Sequence, residues 1–105
     1  MALTQVTYPG WTLDAAVGAA FGTVSSNVAL PGTPSGDTLV RLVNVGSWPI
    51  FFTLGNSAVV ATPATGAVVM PGQELFLVRG TATYVAGVIL GGNGGTGLAN
   101  ISTGN

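Results

Sequence analysis

The sequence predicts an all-β protein, an antiparallel β-sandwich of jelly-roll type, on three observations. Val, Ile, Thr, Phe and Tyr come in short runs suited to strands. These runs are separated by turn residues drawn from 17 glycines and 6 prolines, spaced about 8 to 12 residues apart as in sandwiches and small barrels. Helical periodicity is nearly absent.

In chain order the expected strands are 3–8, 24–30, 38–45, 50–54, 58–61, 67–70, 74–78, 83–90 and 98–102. Pro9-Gly10, Pro31-Gly32 and Pro71-Gly72 suit type II turns, since proline presets φ at the second position and glycine accepts a positive φ at the third. Segment 14–21 reads as a helical turn capped by Asp14 or, given Gly18 and Gly22, as an irregular connection. The 105 residues therefore form one domain whose first 37 residues are expected to be an extended or irregular attachment segment. Residues 101–105 are expected to fray. Strands 38–45 and 84–90 are apolar at nearly every position, so both of their faces should be covered, one by the second sheet and the other by a loop, the N-terminal segment or another subunit.

Charge is the most unusual feature. Only 5% of residues are ionic, against about 25% in an ordinary soluble domain. The whole inventory is Asp14, Asp37, Arg41, Glu74 and Arg79, for a net charge of -1. A surface of Thr, Ser, Asn, Gly and apolar atoms offers little repulsion between molecules and permits close association. Although mean hydropathy is +0.63, no apolar run reaches the roughly 20 residues of a spanning helix, and no membrane partner is expected. The N-terminus has no basic region before an apolar core and does not read as a secretory signal.

The residue types also limit the chemistry. Without histidine or lysine, and with three carboxylates far apart in sequence, acid–base catalysis is not expected. Without cysteine or an Asp-rich loop, neither is a metal site or other cofactor. The run Gly91-Gly92-Asn93-Gly94-Gly95-Thr96-Gly97 lacks the Gly-Lys-Ser/Thr ending of a phosphate loop and reads as a mobile loop. Two arginines cannot make the about six to ten phosphate contacts usual for nucleic-acid binding. The candidate interface residues are Trp11 and Trp48, set in turns, and Arg41 and Arg79, with end-plugging indoles and internally paired arginines as the structural alternatives.

The segment Val43-Asn44-Val45-Gly46-Ser47-Trp48-Pro49-Ile50-Phe51-Phe52-Thr53-Leu54-Gly55, followed by Val59-Val60-Ala61-Thr62 and Met70-Pro71-Gly72, resembles small virion structural proteins of tailed bacteriophages. The resemblance covers roughly the last two thirds of the chain, and in size and composition it is nearest the head decoration, or cement, proteins. It implies a jelly roll on the capsid surface that clamps neighbouring major capsid proteins and associates with itself as a homodimer or homotrimer. Two other readings remain: a tail, baseplate or fibre-associated virion protein, and a carbohydrate-binding sandwich using Trp11 or Trp48 as a stacking platform.

Overall fold

The strands pair like one long antiparallel hairpin that has been rolled up. A computed structural model describes residues 11–90 and 95–105; the expected strand 3–8 and residues 91–94 of the glycine run lie outside them. Eight strands follow in order: β1 (Leu13–Phe21), β2 (Ser26–Ala29), β3 (Leu39–Asn44), β4 (Ile50–Gly55), β5 (Ala67–Val69), β6 (Glu74–Val78), β7 (Tyr84–Ile89) and β8 (Gly97–Gly104). β1 pairs with β8, β2 with β7, β3 with β6 and β4 with β5, all antiparallel. Rolling this ribbon gives two four-stranded sheets, β1-β8-β3-β6 and β2-β7-β4-β5, which is jelly-roll order.

Period-two alternation decides what is buried between the sheets. Val40 and Leu42 of β3, Ile101 of β8 and Phe21 of β1 face Ile50 and Phe52 of β4, Val69 of β5 and Val85 and Ile89 of β7, each at most 2% exposed. Phe21 and Phe52 meet across the sheets edge to face, centroids 5.6 Å apart at 89°. A Cβ at Gly87 would fall 2.7 Å from the Phe21 ring, so the missing side chain on β7 makes the space for it.

The doubly apolar strands are interior ones. β7 turns Ala86 and Val88 away from the main core, and there they form a second buried cluster with Ala61, flanked by Phe51 and Val59. The cover is the β4–β5 connection, tied down by Asn27 Nδ2 donating to the Ser57 carbonyl at 2.8 Å and by the Ala61 N–H donating to Ser25 Oγ at 2.9 Å. Of the three covers the sequence allows for 84–90, the loop is the one found.

Three expectations are corrected. Segment 14–21 is β1, because its alternating Ala15, Val17, Ala19 and Phe21 side chains line the interior while Ala16, Gly18 and Ala20 stay outside. With β2 it places 13–21 and 26–29 in the two sheets, so the described part of the first 37 residues is not irregular throughout. Segment 58–61 is no strand but the loop over β7. The C-terminal residues do not fray: β8 runs to Gly104 between β1 and β3, and Asn105 exchanges backbone hydrogen bonds of 2.7 and 3.1 Å with Thr12. Of the proline turns, Pro71-Gly72 closes as expected, with the Gln73 N–H donating to the Met70 carbonyl at 3.0 Å and Gly72 at φ 80°.

Candidate interaction surfaces

Antiparallel rolling sends the β1–β2, β3–β4 and β5–β6 connections, with the end of β7 and the start of β8, to one end of the sandwich. Backbone bonds knit this end together: the Ile89 N–H donates to the Gly22 carbonyl, the Val45 N–H to Leu98, and the Gly72 N–H to Asn44. Asn44 organises it from inside. Fully buried, its amide Nδ2 donates to the carbonyls of Trp48 (2.6 Å) and Val69 (2.9 Å), and its Oδ1 accepts the Gly46 N–H at 3.0 Å. Every hydrogen-bonding group of that side chain is thus used on main chain.

Trp48 packs against the main core, and a Cβ at Gly95 would fall 2.3 Å from its indole; the side chain plugs this end. Around the plug, Val24 (80% exposed), Val45 (61%), Leu90 (57%), Leu98 (46%) and Met70 (45%) project into solvent. No ionisable residue occurs in connections 22–25, 45–49, 70–73 or 90–96. Large aliphatic side chains gathered on loops, with no charge among them, mark a contact surface better than scattered ones do.

The opposite end holds the buried ionic groups, although Leu13 (58% exposed), Val60 (62%) and Val78 (76%) project there as well. Arg79, 3% exposed, donates from Nε to the Ala82 carbonyl (2.9 Å) and from Nη1 to the Pro31 carbonyl (2.8 Å), with Nη1 4.0 Å from Asp37 Oδ2. Burial lowers the Arg79 pKa while the Asp37 charge opposes that shift. The Thr103 hydroxyl lies 3.2 Å from the Pro31 carbonyl and 3.4 Å from Asp37 Oδ2, donating to one at a time. Asp14, at the β1 bulge, approaches Asp37 over Gly32. Its pKa is raised by a hydrogen bond to Asp37, then by the Asp37 charge and by desolvation.

Two of the three acids thus come together although 23 positions separate Asp14 from Asp37 in sequence. Glu74 stays apart, accepting from Arg41 Nε at 2.6 Å on the outer face of β3 and β6. Among the described residues no group of three or more His, Cys, Asp or Glu side chains gathers as a metal site would.

The four sequence candidates therefore separate. Arg79 is turned inward and serves the loop contacts, so it is not an exposed interface residue. Arg41 is partly exposed and paired with Glu74. Trp11 lies over the outer face of the β1-β8-β3-β6 sheet, edge to face with Phe76 at 5.1 Å and above Gly104. Trp48 lies at the apolar end, half-buried. The five aliphatics at the Trp48 end have no signal in sequence, because Val24, Val45, Met70 and Leu90 sit singly in four different connections and Leu98 at the start of β8, and only the topology collects them.

Neither a protein-family model nor a curated protein matches the chain. A solved structure does share its fold. That structure, from Bacillus endospore appendages described as a family of disulfide-linked pili, has 14% identity and a TM-score of 0.55, over 89% of this chain and 85% of that one. At this identity the likeness is one of fold alone.

Proposed function

We propose that the chain is a non-catalytic structural subunit that attaches through its uncharged end, and specifically that it decorates the outside of a phage head and clamps neighbouring major capsid proteins. The carrying observation is the set of five projecting aliphatics at one end, while the carboxylates and arginines make their contacts elsewhere within the domain. The resemblance to tailed-phage virion proteins supplies the partner.

A standard protein contact removes about 800 Å² per partner, and its gross apolar gain is offset by about 4 to 15 kcal/mol of lost freedom. A single grip of this kind is modest. A dimer or trimer holding two capsid subunits makes the second grip intramolecular and raises avidity by about two to four decades. The acidic pair does not argue for catalysis, since Asp37 and Asp14 make their contacts with Arg79, Thr103 and each other.

The test is co-sedimentation of the purified protein with phage heads stripped of decoration. Uptake to saturation, lost on Val45→Glu without change in thermal midpoint, is expected; no uptake by stripped heads sinks the proposal. A second reading, a subunit of a surface fibre, is favoured by the fold shared with appendage pili. With no cysteine, such a fibre would have to be joined without disulfides. Filaments of concentrated purified protein in the electron microscope would favour that reading over the first.

A further inference from the structure

Among the described residues each sheet has two edge strands, and three of the four are short: β2 has 4 residues, β5 has 3 and β6 has 5. Shortness is one of the standard protections of an exposed edge; charge, proline and bulges are others. β1 has 9 residues, no proline or lysine, and one charge, Asp14, beside a bulge at its first turn. From Ala15 to Phe21 its pairing with β8 is regular and its free edge carries none of these devices.

The register shows which backbone groups are free. Antiparallel strands use alternate residues for alternate neighbours. The Val45 N–H donates to the Leu98 carbonyl, so Leu98, Asn100 and Ser102 spend their backbone groups on β3, and Ala99, Ile101 and Thr103 spend theirs on β1. Their β1 partners Ala19, Val17 and Ala15 are therefore used. Ala16, Gly18 and Ala20 point N–H and C=O outward, and among the described residues nothing bonds to them.

We infer that β1 is a self-association edge, on which a second copy of this chain adds its own β1 antiparallel with the two Gly18 residues on the two-fold axis. The register follows from the free groups: centring on Gly18 sets Ala16 opposite the partner's Ala20, so all three free residues form hydrogen-bonded pairs. Asp14 then faces the partner's Gly22, and no charge meets a like charge. A second β1 is the matching occupant because its three free residues meet the same three in a closed two-fold pair, whereas β2 and β5 have only 4 and 3 residues and β6 begins with the charged Glu74. Side chains do not obstruct the approach, since Ala16 and Ala20 are small and a Cβ at Gly18 would meet nothing within 4 Å. Such a contact is isologous and closes at two copies, producing one sheet of eight strands. It requires no capsid, so it stands or falls separately from the attachment proposed above.

Sedimentation of the purified full chain over a range of concentrations tests it. The expected result is a reversible monomer–dimer equilibrium. Gly18→Pro deletes a donor that the monomer does not use, at an edge position where proline is tolerated, and should give a monomer with unchanged circular dichroism and thermal midpoint. Gly18→Lys and Gly18→Glu should each be monomeric, because like charges would meet on the axis, and an equimolar mixture of the two should dimerise. This pair keeps the test decisive if the proline variant fails to fold. A wild-type chain that stays monomeric at every concentration, a folded Gly18→Pro chain that dimerises as before, or a mixture that does not associate overturns the inference.

Discussion

Asn44 on β3 donates a 2.9 Å hydrogen bond to the Val69 carbonyl on β5, so a side chain of one sheet is bonded to the backbone of the other. The same amide holds the Trp48 carbonyl, and its oxygen holds the Gly46 N–H. Asn44→Ala would leave these main-chain groups without their partner at a fully buried site. The expected loss is about 2 to 4 kcal/mol, a few buried hydrogen bonds' worth, read as a lower urea midpoint at unchanged slope. Asn44→Asp should be at least as harmful, because a carboxylate would face two carbonyl oxygens; an Asp variant as stable as wild type would contradict the donor assignment.

Arg79 performs the corresponding task at the other end. Its two carbonyl contacts diverge from one planar guanidinium, toward Ala82 and toward Pro31, with the Asp37 carboxylate beside the second. Arg79→Met would leave Asp37 buried without its cation, at a cost of about 3 kcal/mol or more. Arg79→Lys should recover little of this, since a single ammonium on a flexible stem cannot reproduce the fork. Guanidinium unfolding of both variants is the measurement, and full recovery with lysine would show that charge alone mattered.

Most strands were legible because β-branched runs between glycine and proline turns leave few other readings. The exceptions have physical reasons. β1 is not legible in sequence because its Ala and Gly content carries little β-propensity, and only the register with β8 reveals the Val17–Ala19–Phe21 inner row. The loop at 58–61 has a strand's composition, but its Val59 and Ala61 are apolar because they roof β7. The end groups were invisible for a related reason: Asp14 and Asp37, or Val45 and Leu98, meet only once the long hairpin has rolled.

The Asp14–Asp37 contact makes a pH prediction. Asp14 has a folded pKa raised above its ordinary 3.8, so in the window from 3.8 up to the raised value the folded state holds more proton than the unfolded state. Stability contributed by this group is therefore present at the acid side and declines as pH rises through that window. Asp14→Asn keeps a donor toward Asp37 and removes the titration. Thermal midpoints at several pH values should show the variant gaining on wild type as pH rises, by a small amount because Asp14 is exposed to solvent screening. A constant difference between the two proteins across the window would show that the carboxyls do not interact.

Gly87 and Phe21 give the sharpest packing test. The Phe21 ring occupies the place where a Cβ at position 87 would stand, with three ring carbons at 2.7 to 2.8 Å from it. Phe21 also supplies the edge-to-face contact with Phe52, so it cannot retreat without loosening the join between the sheets. Gly87→Ala should therefore cost about 1 to 3 kcal/mol by overpacking, despite adding only a methyl group to a strand that would otherwise welcome it. Phe21→Leu should cost a comparable amount on its own, through lost area and the lost aromatic pair. In the double variant the smaller side chain leaves room for the new methyl, so the two losses should sum to more than the measured one. A double-mutant cycle by urea denaturation reads this coupling directly. Strict additivity would mean that Phe21 does not depend on the missing side chain at Gly87, and the packing of β1 against β7 would need another explanation.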